Sequence, residues 1–258
     1  MRVSAEGDLR STLSRIDGKG YKAYKDIRGA YRLSDGVLLA VDRVQGDPFA
    51  APSRLRVRVP AGLAGLPEEL TETPVRRTAL SDHLARRVRR AILSAVQGHR
   101  GSGKSGKVFI DAGGQQVLDR TAVRILEDGV EARLSVGLPA AGRTVLGRQA
   151  SALLLDEVPA AVRRGLIWDR QGAEAAEDFV AAVENQEHLR ALLDEHGLVA
   201  FVGEGALLPR RSGASDEPLG SEQVVEFETP ESLRVELPLA SRWRGRRSWA
   251  RPLRPSRR

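Results

Sequence analysis

The chain has 258 residues, four histidines, no cysteine and a formal net charge of +7. The absence of cysteine excludes a disulfide framework and a thiolate metal site, and the histidines show no metal-ligand spacing, so we expect no metal. The N-terminus lacks the apolar region of a signal peptide and no apolar run is long enough to cross a bilayer, which predicts a cytoplasmic protein without a membrane partner.

Charge is divided unevenly along the chain. Residues 1–125 hold 23 Lys+Arg against 13 Asp+Glu, residues 126–240 hold 10 against 21, and residues 241–258 hold eight arginines and no acid. Either one surface of the molecule faces an anion, or the basic and acidic halves neutralise each other across an internal interface. The signs of the charges leave both interpretations open.

The first predicted elements are a short helix and a group of strands. Apolar residues at helical spacing predict a helix over 8–17, and a polar stretch with two tyrosines follows at 20–28. Strands are predicted at 30–33 and 37–44, with a turn between them. A further strand at 54–59 alternates arginine with apolar residues, which puts Arg54, Arg56 and Arg58 on one face.

The middle of the chain alternates between helical and strand patterns. Apolar residues every fourth position predict a helix over 80–96, followed by a glycine-rich loop at 98–107 and a buried strand at 107–111. Residues 121–126 and 130–136 predict a hairpin. Helical patterns then dominate 145–196, with breaks near Pro159 and Gly172, and Gly197 is a typical helix stop.

Three short strands are predicted after the last helix, at 198–202, 224–227 and 233–237. The whole pattern predicts an α+β fold of mixed helices and mostly antiparallel hairpins, without a regular βαβ repeat. We expect a helix-plus-hairpin subdomain at 1–75 and an α+β body at 76–240 that contains the glycine-rich loop.

The arginine-rich segment 241–258 differs from everything before it. It has charge of one sign and no apolar periodicity, which predicts disorder. One interpretation is a nucleic-acid-binding arm in which Trp243 and Trp249 stack on bases. The other, which we favour, is a C-terminus that is not native, such as read-through in a shifted frame.

Two strings imitate the motifs of an ATPase. Gly98–Ser105 fits G-x4-G-K-S, and Ala152–Glu157 reads ALLLDE, like a Walker B strand with a catalytic glutamate. A working P-loop follows a strand and opens a helix, so that backbone N–H groups meet the phosphates. Here the order is reversed, and the second string fits a helical run better. We therefore interpret both strings as imitations.

The glycine-rich loop remains a candidate phosphate site. Its glycines could turn backbone amides towards an anion, with hydroxyls and cations around them; the alternative is a flexible connection with solvated charges. The loop candidates are His99, Arg100, Gly101, Ser102, Gly103, Lys104, Ser105 and Lys107, with Arg86 and Arg90 on the preceding helix.

Other basic groups are weaker candidates for the same ligand. Arg54, Arg56 and Arg58 could follow a nucleic-acid backbone, although a solvated edge strand would look identical. Lys19 and Lys22 flank tyrosines that either stack on bases or belong to the core. The last candidates are Arg210 and Arg211. Adjacent carboxylates face apart on a helix, and no Ser/His/Asp set is evident, so no catalytic residue is predicted.

Several longer strings resemble one known family. They include RIDGKGYKAYKDIRG at 15–29, VQGDPFAAPSRLRV at 44–57, RGSGKSG at 100–106, DRTAV at 119–123, VEARLSVGLPAAG at 130–142, GLVAFVG at 197–203, LPRRSG at 208–213 and PESLRV at 230–235. In this order they resemble the N-terminal region of the predicted ATPases of the ABC class.

The resemblance implies an N-terminal α+β module that precedes an ABC-type nucleotide-binding domain and a smaller C-terminal domain. The family's P-loop lies beyond the point that matches Leu237, where the resemblance ends. We therefore expect a chain truncated before its ATPase core, with no cofactor of its own and ATP and magnesium only in the missing domain. Family relatives are linked to RNA handling, which favours a nucleic-acid partner by analogy.

The expected function is a nucleic-acid-binding module that contacts RNA or DNA backbone, serves an ABC-type ATPase domain missing from this chain, and is not itself an enzyme. The first alternative is a protein-interaction or dimerisation module for that ATPase core. The second is a P-loop protein that binds ATP through Gly98–Ser105. The sequence leaves the oligomeric state and the choice between RNA and DNA open.

Overall fold

The computed structural model describes residues 3–220, 224–241 and 250–253. Contacts between Cα atoms divide the chain into two units. Unit 1 comprises Met1–Glu68, Ser81–Ala112 and Asp119–Asp169, and unit 2 comprises Glu69–Leu80, Gly113–Leu118 and Arg170–Arg258. The fold class is α+β, as the sequence predicted.

Unit 1 is built on one mixed sheet. Its order is β1–β2–β3–β4–β7, and both β5 and β6 pair with the far edge of β7. Strand β1 is parallel to β2, and the other pairs are antiparallel. The strands of this unit are β1 (Val3–Ala5), β2 (Gly29–Arg32), β3 (Leu38–Arg43), β4 (Ser53–Pro60), β5 (Val108–Phe109), β6 (Val123–Leu126), β7 (Gly129–Val136), β8 (Ala140–Ala141) and β9 (Thr144–Val145).

The pairing of β4 with β7 explains why the predicted boundary between residues 75 and 76 differs from the division into units. The register joins Ser53 to Val136 and continues without a break to Pro60 and Gly129. One sheet therefore spans the predicted boundary. The predicted hairpins β2–β3 and β6–β7 are confirmed.

The two faces of this sheet have opposite character because side chains alternate along each strand. On β4, Leu55, Val57 and Val59 are buried, and helix α5 (Val158–Leu166) packs against this strand. The intervening positions carry arginines on the opposite face, which we call the open face. The predicted segregation of apolar and basic residues along 54–59 is confirmed.

The helices of the first 169 residues follow the predicted apolar periodicity. Leu9, Leu13 and Ile16 form the buried side of α1, and Leu84 and Val88 are buried on α3. These elements are α1 (Glu6–Ile16), a 3-10 helix (Tyr21–Ile27), α2 (Ala61–Ala64), a 3-10 turn (Glu68–Leu70), α3 (Pro74–Ala95), α4 (Gly147–Ser151), a π-helical turn (Ala152–Glu157) and α5 (Val158–Leu166).

The helical breaks differ from the prediction. Pro159 lies in the first turn of α5, directly after the π-helical turn Ala152–Glu157, and the helical run from 147 to 166 continues through it. The chain leaves the helix at Ile167, which is extended, and α6 then runs unbroken through Gly172. Gly197 has φ of +63° and ends α6, as predicted.

Unit 2 contains α6 (Arg170–Glu195), β10 (Ala200–Gly203), β11 (Arg210–Ser212), β12 (Ser215–Pro218), a 3-10 turn (Glu231–Leu233) and β13 (Ala250–Leu253). The strands predicted at 224–227 and 233–237 do not form, and the sequence analysis missed the β11–β12 hairpin. Phe227 accepts a hydrogen bond from Gly205 N at 2.9 Å and donates one to Ala206 O at 3.1 Å, and these two main-chain bonds do not make a strand.

The segment predicted to be disordered is described only in part. Residues 250–253 pair antiparallel with β10, which differs from the prediction. Main-chain pairing to an open strand edge needs no apolar periodicity, so the sequence pattern gave no sign of it. Residues 242–249 and 254–258, including Trp243 and Trp249, lie outside the described residues.

No helix in the described parts of the chain is both long enough and apolar enough to cross a membrane.

Candidate functional site

The backbone N–H groups of the glycine-rich loop are directed at the protein itself. The loop crosses two other segments, which supply carbonyl acceptors, and this differs from the predicted anion nest. The hydrogen bonds are Ser102 N to Ala140 O (2.7 Å), Lys104 N to Pro48 O (2.9 Å), Gly106 N to Gly137 O (2.8 Å), Arg100 N to Ser105 O (3.0 Å) and Lys107 N to Lys104 O (3.1 Å). These amides are not free to bind a phosphate.

The polar side chains of the loop are also engaged within the fold. Arg100 is buried, donates to the Gln149 carbonyl at 3.1 Å and forms an ion pair with Glu157. The ammonium of Lys104 donates to the Ala50 carbonyl at 3.1 Å. Ser105 is buried and donates to the Ser102 carbonyl at 2.6 Å. Among the loop candidates, His99 and Lys107 are exposed.

Two glycines show why the loop has this composition. Gly101 adopts φ of +117°, and a Cβ there would overlap the Ala140 carbonyl. A Cβ at Gly137 would overlap the Lys104 carbonyl on the facing segment. Glycine is needed here for close backbone approach, and the loop is a packed crossing of three chain segments.

The two ATPase-like strings do not form a nucleotide site. The loop lies between the end of α3 at Ala95 and the start of β5 at Val108, so it does not open a helix as a working P-loop does. The string Ala152–Glu157 is a helical turn with a buried leucine face, and its Glu157 pairs with Arg100. The residues present at this loop therefore do not fit Mg-ATP.

We predict that Lys104→Ala leaves Mg-ATP binding by the chain unchanged, because this ammonium is bonded to a main-chain carbonyl and the loop does not open a helix. Isothermal titration of both proteins with Mg-ATP measures this. Saturable binding by the wild type that is lost in the variant would show that the loop is a working P-loop.

Some of the remaining arginine candidates, on α3 and on β11, already form ion pairs within the chain. Arg86 pairs with Asp82 at 2.6 Å, whereas Arg90 is exposed. In unit 2, Arg210 and Arg211 are both exposed on β11, and Arg211 pairs with Glu217 at 2.6 Å.

The tyrosines beside Lys19 and Lys22 belong to the core. Tyr21 and Tyr24 are buried and donate to the carbonyls of Leu138 and Pro139, at 3.3 and 2.6 Å. Burial raises the pKa of both phenols, so both hydroxyls stay protonated donors. The core interpretation of these tyrosines is confirmed, and only the exposed lysines remain available.

The β8–β9 hairpin brings two predicted clusters together. Gly20 bridges to Thr144 on one side of the hairpin, and Gly101 bridges to Ala140 on the other. Arg143, exposed beside the turn, was missed by the sequence analysis. It was missed because a strand as short as β9 gives no periodic signal in the sequence. We call Lys19, Lys22 and Arg143 the hairpin cluster.

Arginines from neighbouring strands lie side by side on the open face. Arg43 on β3 lies opposite Arg54 on β4, and Arg54 lies opposite Ser135 on β7. In the next row, Arg56 lies opposite Arg133. Because β4 lies between β3 and β7, the alternative in which 54–58 is a solvated edge strand is wrong.

Carboxylates hold some of these arginines in place. Arg56 binds Asp42 through two hydrogen bonds of 2.7 Å and contacts Glu131 at 3.2 Å. The hydrogen bonding of its guanidinium to the Asp42 carboxylate is the largest cause of the raised pKa of Arg56. Glu131 also accepts from Arg133 at 3.0 Å, and Arg58 pairs with Asp128.

Arg43 and Arg54 differ from the paired arginines of this face, Arg56, Arg58 and Arg133. Both are exposed, and within the described part of the chain neither side chain has a hydrogen-bond or ion-pair partner. Their charges are therefore available to a ligand without breaking an existing pair. Adjacent strands place them about 5 Å apart along the row.

A groove of about 840 Å³ opens on this face towards the edge of the sheet. Its polar lining includes Asp42, Arg54, Arg56, Thr121, Arg133 and Ser135. The strand predicted at 107–111 is only the two-residue β5, and its Phe109 lines the groove and is 52% exposed. The prediction that this whole segment is buried is therefore wrong at Phe109.

Two family models match consecutive parts of the chain. The first describes the N-terminal region of ATPases of the ABC class and matches residues 6–168, well over half of the chain. The chain belongs to this family. The second describes the P-loop domain of ABC ATPases and matches residues 172–245 of this ABC-class ATPase chain. Among curated proteins, no match is found.

The second match corrects the expectation that the chain stops before the ATPase core. The ABC-class chain extends into the region of the P-loop domain from residue 172, where α6 and β10 lie. Residues 172–245 contain no lysine, so a G-x4-G-K-[ST] string cannot occur within them. The Walker-like string at Gly98–Ser105 falls in the part that matches the N-terminal region.

Proposed function

We propose that unit 1 binds nucleic acid through the open face of its sheet, with the sugar-phosphate backbone as the main ligand. The observation that carries this proposal is the adjacent pair Arg43 and Arg54, both exposed and free of partners among the described residues. Cations that neutralise phosphates release condensed counterions, which is the main source of sequence-independent affinity.

The balance of charge on the open face supports an anionic ligand. The arginines of this face include those at 32, 43, 54, 56, 58, 124 and 133, and its ion pairs involve three carboxylates, Asp42, Asp128 and Glu131. The carboxylates lie in ion pairs that fix Arg56, Arg58 and Arg133, so the excess positive charge lies on the other arginines, Arg43 and Arg54 among them. A sheet surface with fixed and free guanidinium groups suits phosphate contact, because each group presents several N–H donors.

The glycine-rich loop is a weaker candidate for this role than the sequence suggested. Its amides and its Arg100 and Lys104 side chains bind carbonyls and a carboxylate of the same chain. Phosphate contact would require those bonds to break. The hairpin cluster is the second candidate surface, because Lys19, Lys22 and Arg143 are exposed together beside the Gly20–Thr144 bridge.

We predict that Arg43→Gln/Arg54→Gln weakens nucleic-acid binding by the full chain and flattens its salt dependence. Each phosphate contact adds about 0.7 to 0.9 to the slope of log K against log salt, so losing two lowers the slope by about 1.4 to 1.8. Fluorescence anisotropy with a labelled oligonucleotide, at several salt concentrations, measures both quantities. The arginines of 241–258 remain in every protein compared, so their number is the same in wild type and variant.

The matched control is Lys19→Gln/Lys22→Gln, which removes the same charge from another surface of unit 1. An unchanged slope in the arginine variant, with a flattened slope in the lysine variant, would move the site to the hairpin cluster. Absence of binding by the wild-type chain at low salt would exclude the proposal. The protein-interaction alternative would then replace it, and the exposed apolar side chains of unit 2, such as Leu208, Val225 and Leu239, favour that role.

A further inference from the structure

Phe109 is exposed where its neighbours along the chain are not. Val108 and Ile110, on either side, are each 9% exposed, whereas Phe109 is 52% exposed. The alternation of side chains in β5 turns Phe109 away from the core and onto the open face. A large aromatic ring held in solvent by a paired strand offers a flat surface for a ligand.

The ring of Phe109 lies in the same row as the free arginines. Phe109 pairs with Ser135, Ser135 with Arg54, and Arg54 with Arg43, so the row crosses four adjacent strands. Two interstrand spacings, about 10 Å, separate Phe109 from Arg54. Both residues line the groove, and Ser135 lies between them in the row.

The acidic groups around the groove are compensated. Asp42 and Glu131 are paired with Arg56 and Arg133. Asp111, which follows β5, lies 3.4 Å from Arg120. Because these carboxylates are paired with other arginines, the row presents one aromatic ring, Phe109, and two positive charges, Arg43 and Arg54, to a ligand.

We propose that Phe109 is a base-stacking platform and that the open face takes single-stranded nucleic acid in preference to duplex. This inference rests on the proposed function. A base stacks on an aromatic ring through its π face, which every base has, whereas in a duplex both faces are covered by neighbouring base pairs. The free arginines then contact the phosphates of the same strand along the row.

The test compares the full chain with Phe109→Ala on three labelled probes of equal length: a single-stranded oligonucleotide, the same backbone with abasic sites, and a duplex. Stacking contributes about 1–3 kcal/mol per base, so the variant should bind the single strand about 5- to 150-fold more weakly. Its affinity for the abasic strand should not change, and its salt slope should stay that of the wild type because no charge is removed.

Two further variants separate stacking from a folding defect. Phe109→Trp keeps the aromatic face and should bind the single strand at least as tightly as the wild type. Phe49→Ala removes another exposed aromatic ring of unit 1, 66% exposed, that does not line the groove, and should leave affinity unchanged. Loss of affinity in Phe49→Ala but not in Phe109→Ala would overturn the assignment.

The outcomes distinguish the two proposals. If Phe109→Ala binds all three probes like the wild type, while Arg43→Gln/Arg54→Gln loses salt dependence, the stacking inference fails and the backbone-binding proposal stands. Equal weakening on the single strand and on the abasic strand would also overturn stacking, because the abasic probe has no base to stack. If the wild type binds none of the probes, both proposals fail.

Discussion

Gly101→Ala is expected to lower the free energy of unfolding by about 4 kcal/mol. A non-glycine residue at φ of +117° is strained, and its Cβ would overlap the Ala140 carbonyl, so the loop must move away from the β8–β9 hairpin. Backbone strain of this kind costs about 1–3 kcal/mol and overpacking costs a similar amount. Chemical denaturation, followed by far-UV circular dichroism, measures the change.

The control for this prediction lies in the same loop. Gly98 has no atom within 4 Å of a Cβ position and no positive φ, so Gly98→Ala should change stability by no more than about 0.5 kcal/mol. Equal stability of Gly101→Ala and the wild type would mean that the loop is a flexible connection. The packed crossing would then be wrong.

Arg100→Met is expected to lower the free energy of unfolding by about 3 kcal/mol. The substitution leaves Glu157, whose side chain is largely buried, without its guanidinium partner, and it removes a donor from the Gln149 carbonyl. Breaking a buried ion pair on one side costs about 3–5 kcal/mol, and the partial exposure of Glu157 favours the lower end of that range.

The double variant Arg100→Met/Glu157→Leu identifies the cause. Replacing both members of a buried pair by apolar residues is often nearly neutral, so the double variant should recover more than half of the loss. Lys107→Met, at an exposed loop position, should have little effect. A double variant as unstable as Arg100→Met would show that the loss arises from packing or from the Gln149 contact.

Much of the local structure could be predicted from periodicity. The buried faces of α1 and β4 follow from apolar residues every three to four positions or every second position. The strand predictions at 224–227 and 233–237 were wrong because alternation of apolar residues shows that a segment suits a strand. It does not show that a partner strand is present. Pairing between distant segments, such as β4 with β7, has no signal in local sequence.

The site was harder to predict than the fold. The loop at 98–107 has the composition of a phosphate site, but its donors are used by carbonyls of Pro48, Gly137 and Ala140, which lie far away in sequence. Phe109 resembles a core residue because it stands between two apolar neighbours. Only the pairing with Ser135 shows which face it occupies.

The long-range pairing of β4 also bears on how the chain folds. Residues 53–60 can join β2 and β3 through local hairpin connections, but their second partner, β7, lies at 129–136. Until β7 is synthesised, β4 is an edge strand with unpaired main-chain groups, a site where chains aggregate. Arg54, Arg56 and Arg58 put charge on every second position of that temporary edge, so Arg54, which we assign to ligand contact, belongs to a row of charges of the kind that protects a nascent chain from aggregation.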